Sequence, residues 1–481
     1  MNFKHLLTLF TGLIECMCFA GITFGWASLM FVLKKENYFQ DLCPSSGNQS
    51  VNTTESCPQQ DERFSLIFTI ATFMNNFMTF PCGYIFDRFG TAVTRFIAIS
   101  IYTAALLLIA LSSADTAILL FPALPLLATG GILLMLTNMQ VANLFGKHRS
   151  TIITFYNGAF DSSSVIFLIF KVLYQNGVSL YAAFVFYSCC SIWHIVRTLF
   201  LMPKMHIPHP VPEGYSYGSL QCQKSDTSNH LESSRLSNSE KQCGSVEQVA
   251  DGNINSLLEN ENKGVVPFWQ CAFSSLFAFH FIWLSLMQLR HYMFIGTLNP
   301  TVTRLSGGDQ DIVSHFTNVF AISQFCGVIC APWNGLLMDR HKRKQKVSDS
   351  SVDLRASVLS LTVTTAQCLL FSICAALSML PALYPTFILQ VLNRSFLYGG
   401  SAAFLAIAFP SEHFGKLYGL VMCLSAVVSL LQYPAFYIIR THLHGDPFYI
   451  DITLLILVLL TFIHPINVFR VCKQKKHAKE G

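Results

Sequence analysis

Apolar runs of about twenty residues recur along this chain, each long enough to carry a helix across a hydrocarbon core about 30 Å thick. Breaking them at polar and Pro/Gly clusters gives twelve candidate spans: 7–33, 64–86, 96–113, 117–142, 150–173, 178–202, 267–296, 312–337, 354–379, 382–409, 416–440 and 447–470. Composition agrees, since 52% of the 481 residues are hydrophobic and only 12% charged, against about a quarter charged in soluble domains. Lipid offers backbone groups no partner outside their own helix, so the expected class is an all-α membrane protein. Soluble secreted and nucleic-acid-binding readings are excluded. The first run is too long for a signal-peptide core, lacks a small-residue cleavage pattern and precedes eleven further spans, so it is expected to be retained.

An even number of spans puts both termini on one face. Lys and Arg crowd 87–95, 147–149, 340–346 and the tail at Lys473, Lys475, Lys476 and Lys479, which marks that face as cytoplasmic and accounts for the net charge of +5. Residues 34–63 then lie outside and hold two glycosylation sequons, at Asn48 and Asn52. Cys43 and Cys57 in the same loop form a candidate disulfide. Most of the other fourteen cysteines fall within spans, where Cys acts as a small hydrophobe. No metal-ligand spacing is present, and no metal or other cofactor is expected. Residues 204–266, rich in Ser, Asn, Glu, Gln and Lys, read as a flexible cytoplasmic linker. The expected organisation is a bundle over 1–203, the linker, a second bundle over 267–470 and a tail over 471–481.

The two bundles repeat a motif. Gly83-Tyr84-Ile85-Phe86-Asp87-Arg88 follows the second span, and Gly335-Leu336-Leu337-Met338-Asp339-Arg340 follows the eighth, 252 residues later. Phe145-Gly146-Lys147 is echoed by Phe414-Gly415-Lys416 at corresponding places. Parallel six-helix repeats are a transporter plan, with the site near the midplane between two rocking halves.

The paired Gly-x-x-x-Asp-Arg loops resemble those of the major facilitator superfamily, implying its twelve-helix fold of two six-helix bundles. The resemblance also implies a gating role: Asp87 would latch against the start of the eleventh span, near Lys416, while Gly83 and Gly335 permit close helix approach. Thr91 and Ala92 stand where that family usually has basic residues, and Lys342 replaces the second Gly of the later copy, which predicts a weaker latch. The stretches 61–68, 73–77, 156–164 and 409–416 resemble solute carrier family forty-three, and within it the nucleobase carriers more than the neutral amino-acid carriers. This resemblance implies sodium-independent, equilibrative movement of purine bases such as adenine, guanine and hypoxanthine across the plasma membrane, with functional coupling to intracellular phosphoribosyltransferases that trap the product. Carriage of large neutral amino acids is the alternative. No enzyme activity is expected, since no nucleophile–base pair or phosphate loop is present.

Ionisable groups deep in a span cost about 2.5–3.5 kcal/mol each and require a partner or a wet cavity. Glu15, Asp161 and Arg394 are such groups, which suggests that Arg394 compensates Glu15 or Asp161 across the halves. In facilitator folds, spans one, four, seven and ten line the path, which brings Asn138, Gln288 and Gln390 forward as substrate-binding candidates beside those three. Asn75, Asn76, Asn157 and Asn393 are further mid-span amides, and Trp26, Phe160 and Tyr398 are aromatic candidates by depth. His280 is a candidate proton relay, a weaker signal because no mid-depth carboxylate adjoins it in sequence.

Overall fold

The computed structural model describes residues 3–43, 58–208, 211–212, 214–218, 267–339, 350–410 and 413–480, and these contain helices and turns but no strand. The first half is built from α1 (Phe3–Glu15), α2 (Trp26–Lys35), α3 (Pro58–Phe77), α4 (Thr79–Ala110), α5 (Leu120–Met139), α6 (Arg149–Ser162), α7 (Val165–Gln175), α8 (Leu180–Cys189) and α9 (Ser191–Leu201). The second half follows with α10 (Ser275–Leu305), α11 (Gln310–Phe325), α12 (Gly327–Asp339), α13 (Ser350–Ala376), α14 (Leu383–Ala408), α15 (Phe414–Ser429), α16 (Gln432–Thr441), α17 (Phe448–Leu460) and α18 (Ile463–Glu480). Pairs such as α6/α7 and α11/α12 are two pieces of one rod, so each half has six rods.

Nine stretches among the described residues are long and apolar enough to cross a membrane, and one of them, Gln59–Ala110, contains two expected spans. The two remaining expected spans are α10 and α14. Their apolar character is diluted by buried polar groups, among them Gln288, Arg290 and His291 on α10 and Gln390, Asn393 and Arg394 on α14. Such groups face protein rather than lipid. The outer surface is apolar, with Phe186, Ile192, Ile388 and Phe273 largely exposed.

The first rod is broken between α1 and α2 by a π-helical turn (Cys16–Ala20) and a 3-10 turn (Ile22–Gly25). Glycine makes the break possible. A Cβ on Gly21 would lie 2.4 Å from the Phe160 carbonyl oxygen, and one on Gly131 would lie 1.9 Å from that of Ala20. Backbone freed by the break still needs a partner in an apolar setting, and Gly21 N–H finds one in Ser163 Oγ at 2.8 Å. Ser163 itself sits in the break between α6 and α7, so two interrupted rods brace each other at mid-depth.

The structure differs from the expected organisation at three places. The stretch from 204 is not free at its start: Ala92 N–H donates to the Lys204 carbonyl at 3.1 Å, Thr91 Oγ1 to that of Met205 at 2.6 Å, and Ile207 N–H to Gln140 Oε1 at 3.0 Å. Tyr217, 6% exposed, stacks on His5, and its carbonyl accepts from Lys4 Nζ. Together these residues form a strap on the first half, held by hydrogen bonds to loop and helix ends and by the burial of Ile207 and Tyr217. The tail assigned to 471–481 is helical through residue 480 as the end of α18. Arg95, counted among loop charges, is fully buried within the first half.

Candidate functional site

The halves meet at mid-depth through an ion pair. Asp161, in the last turn of α6, accepts from Arg394 Nε of α14 at 2.7 Å, and both residues are almost wholly buried. Of the two partners open to Arg394, the structure therefore selects Asp161. The Phe24 ring, in the 3-10 turn of the broken first rod, covers the guanidinium with 3.8 Å from its carbon to the ring centroid, and the Tyr398 ring lies at 5.8 Å. With Nε engaged, both terminal nitrogens of Arg394 are buried and have no hydrogen-bond partner among the described residues. A buried donor left unmatched costs about 1–3 kcal/mol, and more when charged.

Around this pair lies a polar and aromatic shell drawn from both halves. Phe24 stacks on Tyr292 at 6.0 Å and meets Phe160 edge-on at 5.9 Å. Tyr292 hydroxyl lies 3.3 Å from that of Tyr398 and accepts from Asn76 Nδ2 at 2.8 Å. Asn76 Nδ2 also reaches Gln288 Oε1 at 3.3 Å. Deeper in the second half, Gln324 Nε2 donates to Gln390 Oε1 at 2.5 Å, and His291 Nε2 lies 2.7 Å from Asn393 Oδ1. Gln288 and Gln390 thus belong to amide networks, the first with Tyr292 and the second with Gln324 and His291, and these three residues and the stacking Phe24 are ones that sequence reasoning passed over.

Glu15 and Asn138 stand elsewhere. Glu15 Oε1 accepts from Arg95 Nη2 at 2.5 Å and lies 2.7 Å from His194 Nδ1, while Oε2 accepts from Arg197 Nη1 at 2.5 Å and from Asn138 Nδ2 at 2.7 Å. Every member is buried within the first half. The carboxylate that Arg394 meets is thus Asp161, while Arg95, Arg197, His194 and Asn138 together engage both oxygens of Glu15. Trp26 packs between Phe64 and Phe68. His280 lies 3.1 Å from His464 and 3.0 Å from Ser401 Oγ, and no carboxylate among the described residues bonds to it.

At the end bearing the loop motifs, Gly335 packs against Thr151 and Thr154 of α6, where a Cβ would come within 3.0 Å of Thr154 Oγ1. A Cβ on Gly83 would meet none of the described residues within 4 Å, so the close approach expected there is not made in this conformation. The demanding glycine of the first copy is Gly90, at φ +75° inside α4, where the chain turns between two helical pieces. Asp87 is exposed and bonds to none of the described residues, so the expected latch is not made in this conformation. Arg88 donates to Tyr84 hydroxyl at 3.0 Å. The Asp339 side chain, Arg340, Asn48, Asn52 and Cys57 lie outside what the structure describes; Cys43 is disulfide-bonded.

The halves also touch at both ends. At the end opposite the loop motifs, Arg440 of α16 donates to the Asp61 carbonyl and, at 2.5 Å, to Ser65 Oγ of α3. Tyr433 hydroxyl donates to Glu62 Oε1 at 3.1 Å, and Lys171 Nζ of α7 to Asn318 Oδ1 of α11 at 2.8 Å. At the motif end Gly419 of α15 abuts Phe80, whose Cδ2 lies 2.8 Å from the position of a Cβ. The ion pair is enclosed between these two seams.

Residues 16–433 match the family model of the Major Facilitator Superfamily. The chain is 53% identical over 98% of its length to the equilibrative nucleobase transporter 1 of Bos taurus, covering 97% of that protein. It is 27% identical to the large neutral amino acids transporter small subunit 3 of Homo sapiens, over 98% of this chain and 94% of that one. A POT family transporter crystallised with 5-aminolevulinic acid superposes with a TM-score of 0.59 at 11% identity, covering 98% of this chain and 96% of its own, a likeness of fold alone.

Proposed function

We propose that this chain, which belongs to the major facilitator superfamily, carries purine nucleobases down their gradient by alternating access. The observation that carries this reading is the 53% identity, sustained over nearly the whole of both chains, to a nucleobase transporter. The amino-acid relative at 27% is far more distant.

The geometry supports it. A nucleobase is a flat, uncharged heteroaromatic with donors and acceptors on its rim, and its site should combine aromatic surface with a few polar groups. Phe24, Tyr292 and Tyr398 supply the first, and Arg394 with the Asn76 and Gln288 amides the second. Asp161 and Arg394 sum to no net charge, so a neutral ligand enters without adding an unpaired ion to a buried site. An amino acid needs both its carboxylate and its ammonium matched there. The reading extends to sodium-independent uniport at the plasma membrane with both termini cytoplasmic, glycosylation at Asn48 and Asn52, and trapping of imported base by intracellular phosphoribosyltransferases.

In this cycle the base enters from either face, the halves rock about the Asp161–Arg394 seam, and direction follows concentration. Paired uptake tests it: cells expressing the chain are given labelled adenine or labelled leucine, each with the other as competitor. Adenine entry unaffected by leucine is expected. Leucine entry without adenine entry reverses the choice of cargo.

A further inference from the structure

Arg394 is held so that one edge of its guanidinium is left to a ligand. Its Nε is fixed by Asp161 at 2.7 Å, and Phe24 covers a face at 3.8 Å. What remains is the edge carrying Nη1 and Nη2, both buried and unmatched among the described residues. That edge presents donors side by side in the guanidinium plane, a fork made for two neighbouring acceptors on a flat partner. Two kinds of ligand offer them. A carboxylate does, but it would bring a third charge to a pair that is already neutral. The other is the O6/N7 edge of a 6-oxopurine, the edge that arginine reads bidentately in guanine. Adenine presents a donor amino group beside N7, and so can take only one bond from the fork on that edge.

We infer that Arg394 is the residue that distinguishes oxo from amino purines, binding hypoxanthine and guanine through O6 and N7 together. This rests on the purine reading above and deepens it. Arg394 forms the fork, Asp161 sets its plane and Phe24 keeps the guanidinium from turning out of it.

The test uses the full chain in cells lacking other base uptake, with labelled hypoxanthine. Unlabelled 7-deazahypoxanthine, which has no N7 acceptor, competes about tenfold or more weakly than hypoxanthine, as expected for loss of a bidentate contact. The 3-deaza analogue, which keeps both acceptors, competes as hypoxanthine does. In Arg394→Lys, a point charge replaces the fork, and KM for hypoxanthine rises about tenfold more than KM for adenine. Equal competition by the 7-deaza analogue overturns the inference while leaving purine transport intact, as does an equal rise in both KM values. Absence of all purine uptake overturns the parent reading as well. Should the variant fail to reach the membrane, the analogue series on the natural protein decides alone.

Discussion

Glu15 binds two guanidinia and a histidine in a space that no solvent reaches, so its removal strands like charges in an apolar interior. Breaking a buried ion pair from one side costs about 3–5 kcal/mol. Glu15→Ala is therefore expected to lower the melting temperature of the detergent-solubilised protein and its surface yield sharply, with whatever protein survives keeping its KM for adenine. A stable Glu15→Ala variant with weakened substrate affinity would move Glu15 into the binding site. That two ions, Asp161 and Arg394, must be partnered is legible in sequence, because an ion in a lipid span needs a counter-ion. Which carboxylate belongs to which arginine is not. Arg95 reads as a loop charge beside Asp87 and Arg88 until the turn at Gly90 is known to come before it.

Among the elements, the seam opposite the loop motifs hangs on few groups. Arg440 reaches across it to the Asp61 carbonyl and to Ser65, and hydrogen bonds from a charged donor contribute about 1.5–3 kcal/mol each. Arg440→Ala is expected to shift the closed-to-open ratio at that end by about tenfold or more. A cysteine placed at the buried Thr69 reports it: alkylation by an impermeant thiol reagent should speed up about tenfold over the parent, in step with the population shift. No change in labelling would show that the seam is held elsewhere. The rods themselves are readable from hydropathy, including the polar α10 and α14, whose very departure from the apolar norm marks them as interior. Their breaks are less so. Gly21 and Ser163 look like ordinary small residues until the carbonyl of Phe160 is found against the first of them. The same holds for Gly90, whose positive φ the repeated motif does not announce.

For the molecule as a whole, the paired charges at its centre bear on energetics. If a neutral base rides between a neutral pair, translocation moves no net charge through the field. One charge per cycle would be worth about 2.3 kcal/mol for each 100 mV, or roughly fifty-fold in accumulation. Uptake of adenine is thus expected to persist unchanged when sodium is replaced by choline and the membrane potential is collapsed with an ionophore. A loss in either condition would point to a coupled ion. The duplicated plan was plain from the recurring loop motif, whereas the enclosure of the site was not, since contacts such as Gln432 with Thr72 join positions 360 residues apart.

The strap of residues that leaves α9 and lies down along α1 fastens the connecting segment to the first half as far as Tyr217. Lys204 and Tyr217 therefore travel with the first half when it tilts, and the contacts that have to clasp and release are the side chains where the bundles touch, Arg440 with Ser65 and Lys171 with Asn318 among them.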